Sequence, residues 1–417
     1  MRWVISSLSL LLLITGIRAE ERYTFEKQEI SHDLKIGYAV ILADLNQDGK
    51  PDIVVVDQHR VVWYENPKWN MHTILTGKTR PDNVCIAAGD IDGDGKLDLV
   101  LGADWKPFNT KIGGTLQWLK AGKTLEEEWS MFPISEEPTV HRVRFAKIAK
   151  DKPPAIILAP LMGRESSQAN NWRDGRPVRF LAFPIPENPQ KGPWKPIVLS
   201  DQLHVMHNFW PIPNPKKAMI SSFLCASYEG VSQIDWQETS NSNGGWVTSR
   251  IGIGNQDQPT KNCGASEIKM GKFKNGSRFI ATIEPWHGFQ VVVYSEPLPG
   301  EKWWQRQVID DQLRWGHGVW CADLDGDGND ELIIGVRDNP TKNERVKDQR
   351  GVRIYHLTPG NKPGDKLQKW DRQLIDSNGV AVEDLTVGDL NGDGYPDIVA
   401  VGRATGNARI YWNHPKR

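Results

Sequence analysis

Neither sign of charge prevails in this chain: 51 lysines and arginines face 52 aspartates and glutamates in 417 residues. That balance leaves no electrostatic footprint for nucleic acid or for an anionic membrane surface. Cysteine is scarce, and four residues are too few to staple a domain of this size. Cys85 and Cys321 fall inside apolar strand patterns and read as buried thiols, while a Cys225–Cys263 pair is a question that spacing leaves open. Helical periodicity is absent. After the first twenty residues there is also no apolar run long enough to cross a membrane.

The opening residues are the exception. "MRWVISSLSLLLLITGIRA" has a basic residue, an apolar stretch from Val4 to Ile17 and the small Ala19 ahead of "EERY". Residues 1–19 read as a secretory signal peptide, with a retained N-terminal anchor as the alternative. The expected mature protein is soluble and secreted or periplasmic. Residues 20–417, roughly 400 of them, suffice for one large all-β domain or two ordinary ones.

What is present is repetition. Four segments share one pattern: "DLNQDGKPDIVVV" from Asp44, "DIDGDGKLDLVLG" from Asp90, "DLDGDGNDELIIG" from Asp323 and "DLNGDGYPDIVAV" from Asp389. The first two start 46 residues apart, the last two 66, and the gap of 233 between them has room for three further units. An aromatic followed five residues later by Ile or Leu finds those units: Trp69/Ile74, Trp129/Ile134, Trp194/Leu199, Trp246/Ile251, Trp304/Ile309 and Trp370/Ile375, with Phe25/Ile30 as a seventh copy at the start. A second aromatic series, Trp63, Trp118, Phe183, Trp236, Tyr294, Tyr355 and Tyr411, also counts to seven. Each unit reads as four short strands separated by Gly, Asn, Asp and Pro turns. The expected fold is all-β, a seven-bladed β-propeller. The last unit supplies three strands, and the Tyr23–Ile30 strand completes it and closes the ring. First strands are expected to begin near Ile36, Asn83, Val140, Val205, Ala265, Gly316 and Val382.

In the four acidic loops, oxygen-bearing side chains occupy positions 1, 3, 5 and 9, with glycine at 6. The candidate Ca²⁺ ligands are Asp44, Asn46, Asp48 and Asp52; Asp90, Asp92, Asp94 and Asp98; Asp323, Asp325, Asp327 and Glu331; and Asp389, Asn391, Asp393 and Asp397. Hard cations take six to eight oxygens, and the glycine lets the loop curl around the ion. Position 12 is never the bidentate glutamate of an EF-hand. Asp-Gly turns without an ion are the alternative. This strand–DxDxDG–strand unit resembles the FG-GAP/VCBS repeat, which implies structural loops on the face away from substrate. Fold by itself supplies no function.

The residue six before loop position 1 marks the mouth of each innermost strand. Across seven blades it is Tyr38, Val84, His141, His207, Ser266, His317 and Glu383, with Glu267 and Asp384 next door. Three of the ten histidines fall in these seven positions, far above chance. His141, His207, His317 and Glu383 are therefore candidate ligands for Zn²⁺ or Mn²⁺; hydrogen-bonded histidines lining a wet channel are the alternative. Blade six lies across the ring from blades three and four, so His317 is either a third ligand or a base facing the other two. Loops on the same face bring His59 in "DQHR", Trp105 and Lys106 in "GADWKPFN", Trp286 and His287 in "EPWHGFQ" and Arg337 in "GVRDNP". His287, Tyr38 and His59 are candidate acid/base groups; Trp105, Lys106, Trp286 and Arg337 are candidate contacts for a carbohydrate. The third and sixth blades carry long insertions here, "MGRESSQANNWRDGRP" and "RDNPTKNERVKDQRG", of the kind that shapes binding sites.

"AAGDIDGDGKLDLVLGADW", "GGTLQWL", "EPWHG" and "HGVWCADLDGDGNDELIIG" resemble the propeller domain of aldos-2-ulose dehydratases, which act on keto-sugars such as 1,5-anhydrofructose. The resemblance implies metal-assisted dehydration of a sugar bearing a carbonyl, with His141, His207, His317 and His287 as ligands or acid/base groups. Members of that family continue into cupin-like and lectin-like domains, whereas the seventh expected blade here runs to Arg417. Two functions are expected from different classes. One is a metal-dependent carbohydrate lyase acting on a keto-sugar or uronic-acid-type glycan by β-elimination. The other is a non-catalytic, calcium-stabilised propeller that binds glycan or protein. Oligomeric state is open.

Overall fold

A computed structural model describes residues 22–213, 220–239, 242–258, 261–337, 350–358 and 368–415. The signal-peptide reading, and most of the blade-six insertion after Arg337, lie outside them. Within the described residues, 28 strands form seven four-stranded antiparallel sheets. Six sheets follow chain order. The seventh takes its outer strand from the other end of the chain, and Tyr23–Ser31 pairs with Ala408–Pro415, with Tyr23 opposite Pro415 and Ser31 opposite Ala408. Ring closure by the N-terminal strand is thus the observed arrangement.

The innermost strands are Ala39–Ala43, Cys85–Gly89, Val140–Ala146, Asn208–Ile212, Ile268–Lys272, Gly316–Ala322 and Val382–Gly388. Three begin where the sequence pattern places them. The other four begin two or three residues later, although the residue one or two before each strand still donates its N–H to the second strand, as Tyr38 does to Val56 O. No helix is long and apolar enough to cross a membrane among the described residues.

Second strands such as Asp52–Asp57 and Glu331–Val336 are buried along their whole length, since a blade is covered on both faces by its neighbours. The second aromatic series falls on the third strands, and Trp63, Trp118, Phe183, Tyr294, Tyr355 and Tyr411 are all buried between blades. Truncating such a side chain, Trp118→Ala for example, costs about 3–5 kcal/mol. These aromatics are packing residues. Cys225 and Cys263 are free and buried, so they are not paired; Cys85 is buried and Cys321 partly so.

The acidic loops join first to second strands, which puts them on the face opposite the mouths of the first strands. Position 9 is buried in each loop, where its carboxylate accepts the backbone N–H of position 2: Asp52 from Leu45 at 3.0 Å, Asp98 from Ile91 at 3.2 Å, Glu331 from Leu324 at 2.8 Å and Asp397 from Leu390 at 3.0 Å. Position 1 accepts the N–H of the glycine at position 6, as Asp44 does from Gly49 and Asp389 from Gly394. That glycine has φ of +85° at Gly49 and +91° at Gly394, a conformation other residues adopt only at a cost.

Candidate active site

At the channel mouth the seven equivalent positions divide into two groups. In four blades the backbone N–H remains in the ladder: Tyr38 donates to Val56 O, Val84 to Gly102 O, His207 to Ala226 O and Ser266 to Ile283 O, at 2.8–3.2 Å. Blades four and five, which lack acidic loops, are thereby in register with blades one and two. In the remaining three, His141, His317 and Glu383 are extra residues: pairing jumps from Val140 to Arg142, from Gly316 to Gly318 and from Val382 to Asp384. Such bulges re-aim side chains, and here consecutive residues (His141 with Arg142, Glu383 with Asp384) lie near the axis, the first three buried and Asp384 half-buried.

The channel is narrow enough for the imidazoles to meet. The His207 ring lies 4.7 Å from His141, 4.7 Å from His287 and 5.2 Å from His317, centroid to centroid. Blade six is therefore within reach of blade four, and His317 joins the group. The three side chains that offer nitrogen atoms within 4.8 Å of one another are His207, His287 and His317. This changes the expected ligand set. His287 enters it, while His141 stacks beside His207 and Glu383 turns away. Both oxygens of Glu383 are engaged by guanidinium groups, Oε2 by Arg337 Nη1 at 2.6 Å and Oε1 by Arg403 Nη1 at 2.8 Å.

Two of the rings are oriented through a second nitrogen. His141 Nδ1 bonds the His207 carbonyl at 2.9 Å, and His317 Nδ1 bonds the Glu383 carbonyl at 2.5 Å. A ring nitrogen facing a carbonyl must carry the proton, so Nε2 of each neutral ring holds a lone pair. His207 Nδ1 lies 3.0 Å from Glu267 Oε1, although off the N–H axis. Its Nε2 faces His287 Nε2 at 2.9 Å. Burial pushes all four imidazoles below their ordinary range; the Arg142 charge adds to this at His141, His207 at His287, and Arg337 at His317, while Glu267 opposes it at His207. Three neutral imidazoles, with His317 Nδ1 secured from behind, fit a divalent transition metal.

His287 belongs to no innermost strand. It lies in the turn after Arg278–Glu284 with φ of +50°, a strained conformation for a residue this bulky, which points its ring inward over the mouth. Trp286 and Trp315 flank it, with ring centroids 5.1 and 5.2 Å away. The indole N–H groups of Trp105, Trp286 and Trp315 and Nε of Arg337 are buried without a hydrogen-bond partner around this cluster. Four orphaned donors of this kind suit a polar ligand or ordered water.

A pocket of about 510 Å³ opens from His287 across the front of blade five. Gln168, Asn171, Asn255, Gln258, Asn262 and Trp286 are among its lining residues. Amides around one aromatic face match the hydroxyl groups and C–H faces of a sugar. Gln168 and Asn171 come from the blade-three insertion, so that insertion shapes the site as its length suggests. The sequence reading missed Asn255, Gln258 and Asn262, which lie in a loop with no motif.

The other expected residues are placed less centrally. Tyr38 donates to Asp82 Oδ2 at 2.5 Å, and burial and that carboxylate raise its phenol above the ordinary range. It therefore stays protonated rather than serving as a base, and its ring packs edge-on against Trp105. His59 is exposed at the tip of the turn after Asp52–Asp57, away from the imidazole cluster. Trp105 lies 5.9 Å from the His141 ring, whereas Lys106 is tied to Asp104 at 2.9 Å. Arg337 packs on the Trp315 face at 5.0 Å while it binds Glu383.

The acidic loops differ in what faces their oxygens. Asp90, Asp92 and Asp94 converge, as do Asp323, Asp325 and Glu331. Lys120 binds Asp92 and Asp94, and Arg22 donates to Asp325 at 2.6 Å and Asp327 at 2.8 Å. Burial, with neighbouring carboxylates, pushes Asp52, Asp98 and Asp397 up to about 6 and Glu331 up to about 9.

Comparisons with known proteins agree with this architecture. The β-propeller domain of aldos-2-ulose dehydratase matches residues 113–297, an FG-GAP-like repeat matches 44–101, and an FG-GAP repeat matches 381–411. The first match includes His141, His207 and His287. Aldos-2-ulose dehydratase of Phanerodontia chrysosporium is 23% identical over 274 residues, which is 61% of this chain and 29% of that protein. Among solved structures, chains from the mercury- and lead-soaked crystals of BBS1N in complex with ARL6DN superpose with TM-scores of 0.53. They are 11% and 12% identical and cover 96% of this chain and 98% of theirs, a likeness of fold alone. The chain is a seven-bladed β-propeller of FG-GAP repeats that resembles the β-propeller domain of aldos-2-ulose dehydratase.

Proposed function

We propose that this chain is a carbon–oxygen lyase that removes water, or an alkoxide leaving group, from a keto-sugar or uronic-acid-type glycan held in the front pocket. The observation that carries this reading is the convergence of neutral His207, His287 and His317, of which His287 lines an amide-rich pocket. These three residues would hold Zn²⁺ or Mn²⁺, which when bound polarises a carbonyl or carboxylate and acidifies the adjacent C–H. Trp286 and the amides of Gln258 and Asn262 orient the sugar, and Arg337, fixed by Glu383, presents positive charge beside it. His141 is the imidazole left outside the ligand set. Its Nδ1–H is held by the His207 carbonyl, so its Nε2 accepts the proton. The C–H electron pair becomes the new double bond, the β C–O bond breaks, and the same proton neutralises the departing oxygen.

The test is turnover of 1,5-anhydrofructose, followed by the ultraviolet absorbance of a conjugated enone. Loss of that signal in His317→Ala and His141→Ala with melting temperatures nearly unchanged supports the reading; unchanged turnover in both overturns it. The burial of His207 and His317, at 1% and 3% exposure, favours a second reading in which the pocket binds a glycan without chemistry. Elemental analysis separates the two, since stoichiometric Zn or Mn belongs to the enzyme and calcium alone to the binding module. We further infer that the four loops on the far face bind calcium structurally and that the protein is exported.

A further inference from the structure

A second cavity of about 500 Å³ lies on the axis behind the imidazoles. Arg142, Arg144, Lys269 and Asp384 line it together with the indoles of Trp210 and Trp320. Five charged groups face one another here: three cations, Arg142, Arg144 and Lys269, against the carboxylates Glu267 and Asp384. Glu267 is consumed by its neighbours, bonding Arg142 Nη2 at 3.0 Å and Asn208 Nδ2, with His207 alongside. Asp384 accepts the Val40 N–H at 3.1 Å. Among the described residues the Lys269 side chain makes neither a hydrogen bond nor an ion pair, although it is only 5% exposed. Its ammonium lies over Trp210 at 4.2 Å and Trp320 at 5.0 Å. Arg144 stacks over Phe209 and Trp210 at 4.9 and 5.3 Å, and its Nη1 is buried with no partner.

Unpaired buried cations are costly, and proteins keep them where a ligand supplies the counter-charge. Burial and the Arg144 charge pull the Lys269 ammonium down to about 7, as expected of a cation awaiting an anion. The remaining walls are apolar: Ile41, Leu42, Val143, Pro211, Leu385 and Val387. Such walls disfavour a strongly hydrated phosphate or sulfate and suit a carboxylate with a carbon body.

We propose that the rear half of the channel is a binding site for a small organic carboxylate, held by Lys269 and Arg144 beside the edge-to-face pair of Trp210 and Trp320. The carboxylate oxygens accept from Lys269 Nζ and Arg144 Nη1, and the carbon body lies against the apolar walls. This site is separate from the front pocket, and occupying it needs no transition metal.

Isothermal titration of pyruvate and of gluconate into the full chain at constant ionic strength, with phosphate and chloride as comparators, tests the proposal. Binding of at least one carboxylate is expected, weakened about tenfold or more in Lys269→Met, largely restored in Lys269→Arg and unchanged by chelator. Lys269→Met is expected to fold, since it exchanges an unpaired buried charge for an apolar side chain of similar length. The proposal is overturned if neither carboxylate binds, if phosphate or chloride binds more tightly, or if carboxylate binding survives Lys269→Met.

Discussion

His207 and His287 meet Nε2 to Nε2 at 2.9 Å, although they come from different blades and from a strand and a turn respectively. Two lone pairs do not face each other at this distance, so either a proton or a cation lies between them. Nitrogen ligands about 2.1 Å from one ion stand about 3.0 Å apart at right angles and about 3.4 Å apart in a tetrahedron, so the pair is close to a chelating separation.

This geometry separates two roles. His317→Ala is expected to lower transition-metal affinity about 100-fold, whereas His141→Ala retains the metal and loses turnover. Metal content by plasma spectrometry, read beside activity, checks the split, and equal metal loss in both variants contradicts it.

Glu267 supports the cluster from behind. Burial alone would raise its pKa, yet Arg142 and His207 hold it well below the usual carboxylate range. Glu267→Gln leaves Arg142 buried without its counter-charge and is expected to cost about 3–5 kcal/mol of stability. It also weakens metal binding about 10–100-fold, because His207 loses its orienting partner. Denaturant melts and metal titration read the two effects separately.

Lys269 gives a pH signature in ligand-free protein. Its folded pKa of about 7 lies below the ordinary 10.5. Between these values the unfolded chain binds the proton and the native chain does not, so this group's contribution to stability rises with pH across that window. Lys269→Met is therefore expected to melt above wild type at pH 6–7, with the gap closing towards pH 10. A gap independent of pH would show that Lys269 is not the titrating group.

Ring closure rests on Tyr23–Ser31, pinned by buried Tyr23 and by Arg409, which binds Glu29. Removing residues 22–31 bares the Ala408–Pro415 edge, and an open strand edge recruits other chains. A lower melting temperature and self-association by light scattering are expected.

For the acidic loops, chelating calcium is expected to lower the melting temperature. Asp44→Ala and Asp389→Ala should each remove more of the calcium effect than Asp90→Ala, because Lys120 already neutralises part of the second loop. Thermal melts with and without chelator measure the difference.

The fold was legible because its signals are local and repeated: an aromatic five residues before an aliphatic, and a nine-residue acidic loop, each recurring at blade spacing. The same ruler located His141, His207 and His317. It failed at Glu383, because a register position says which residues share a ring but not which cations stand beside them, and Arg337 and Arg403 come from other loops. It placed His287 on the correct face without revealing its reach, which depends on a positive φ that no motif encodes. Asn255, Gln258 and Asn262 carried no signal, because amides in an irregular loop look alike whether they line a pocket or face solvent.

The three bulges have an effect beyond aiming histidines. By turning His141 with Arg142, and Glu383 with Asp384, towards the same axis, they stack two polar layers where a regular strand would supply one. Glu267 joins the layers on one side, bonding Arg142 with His207 alongside. The two cavities share no lining residue: one meets the His287 imidazole, the other Lys269, Arg142 and Arg144. The two faces can therefore evolve separate clienteles on a single scaffold.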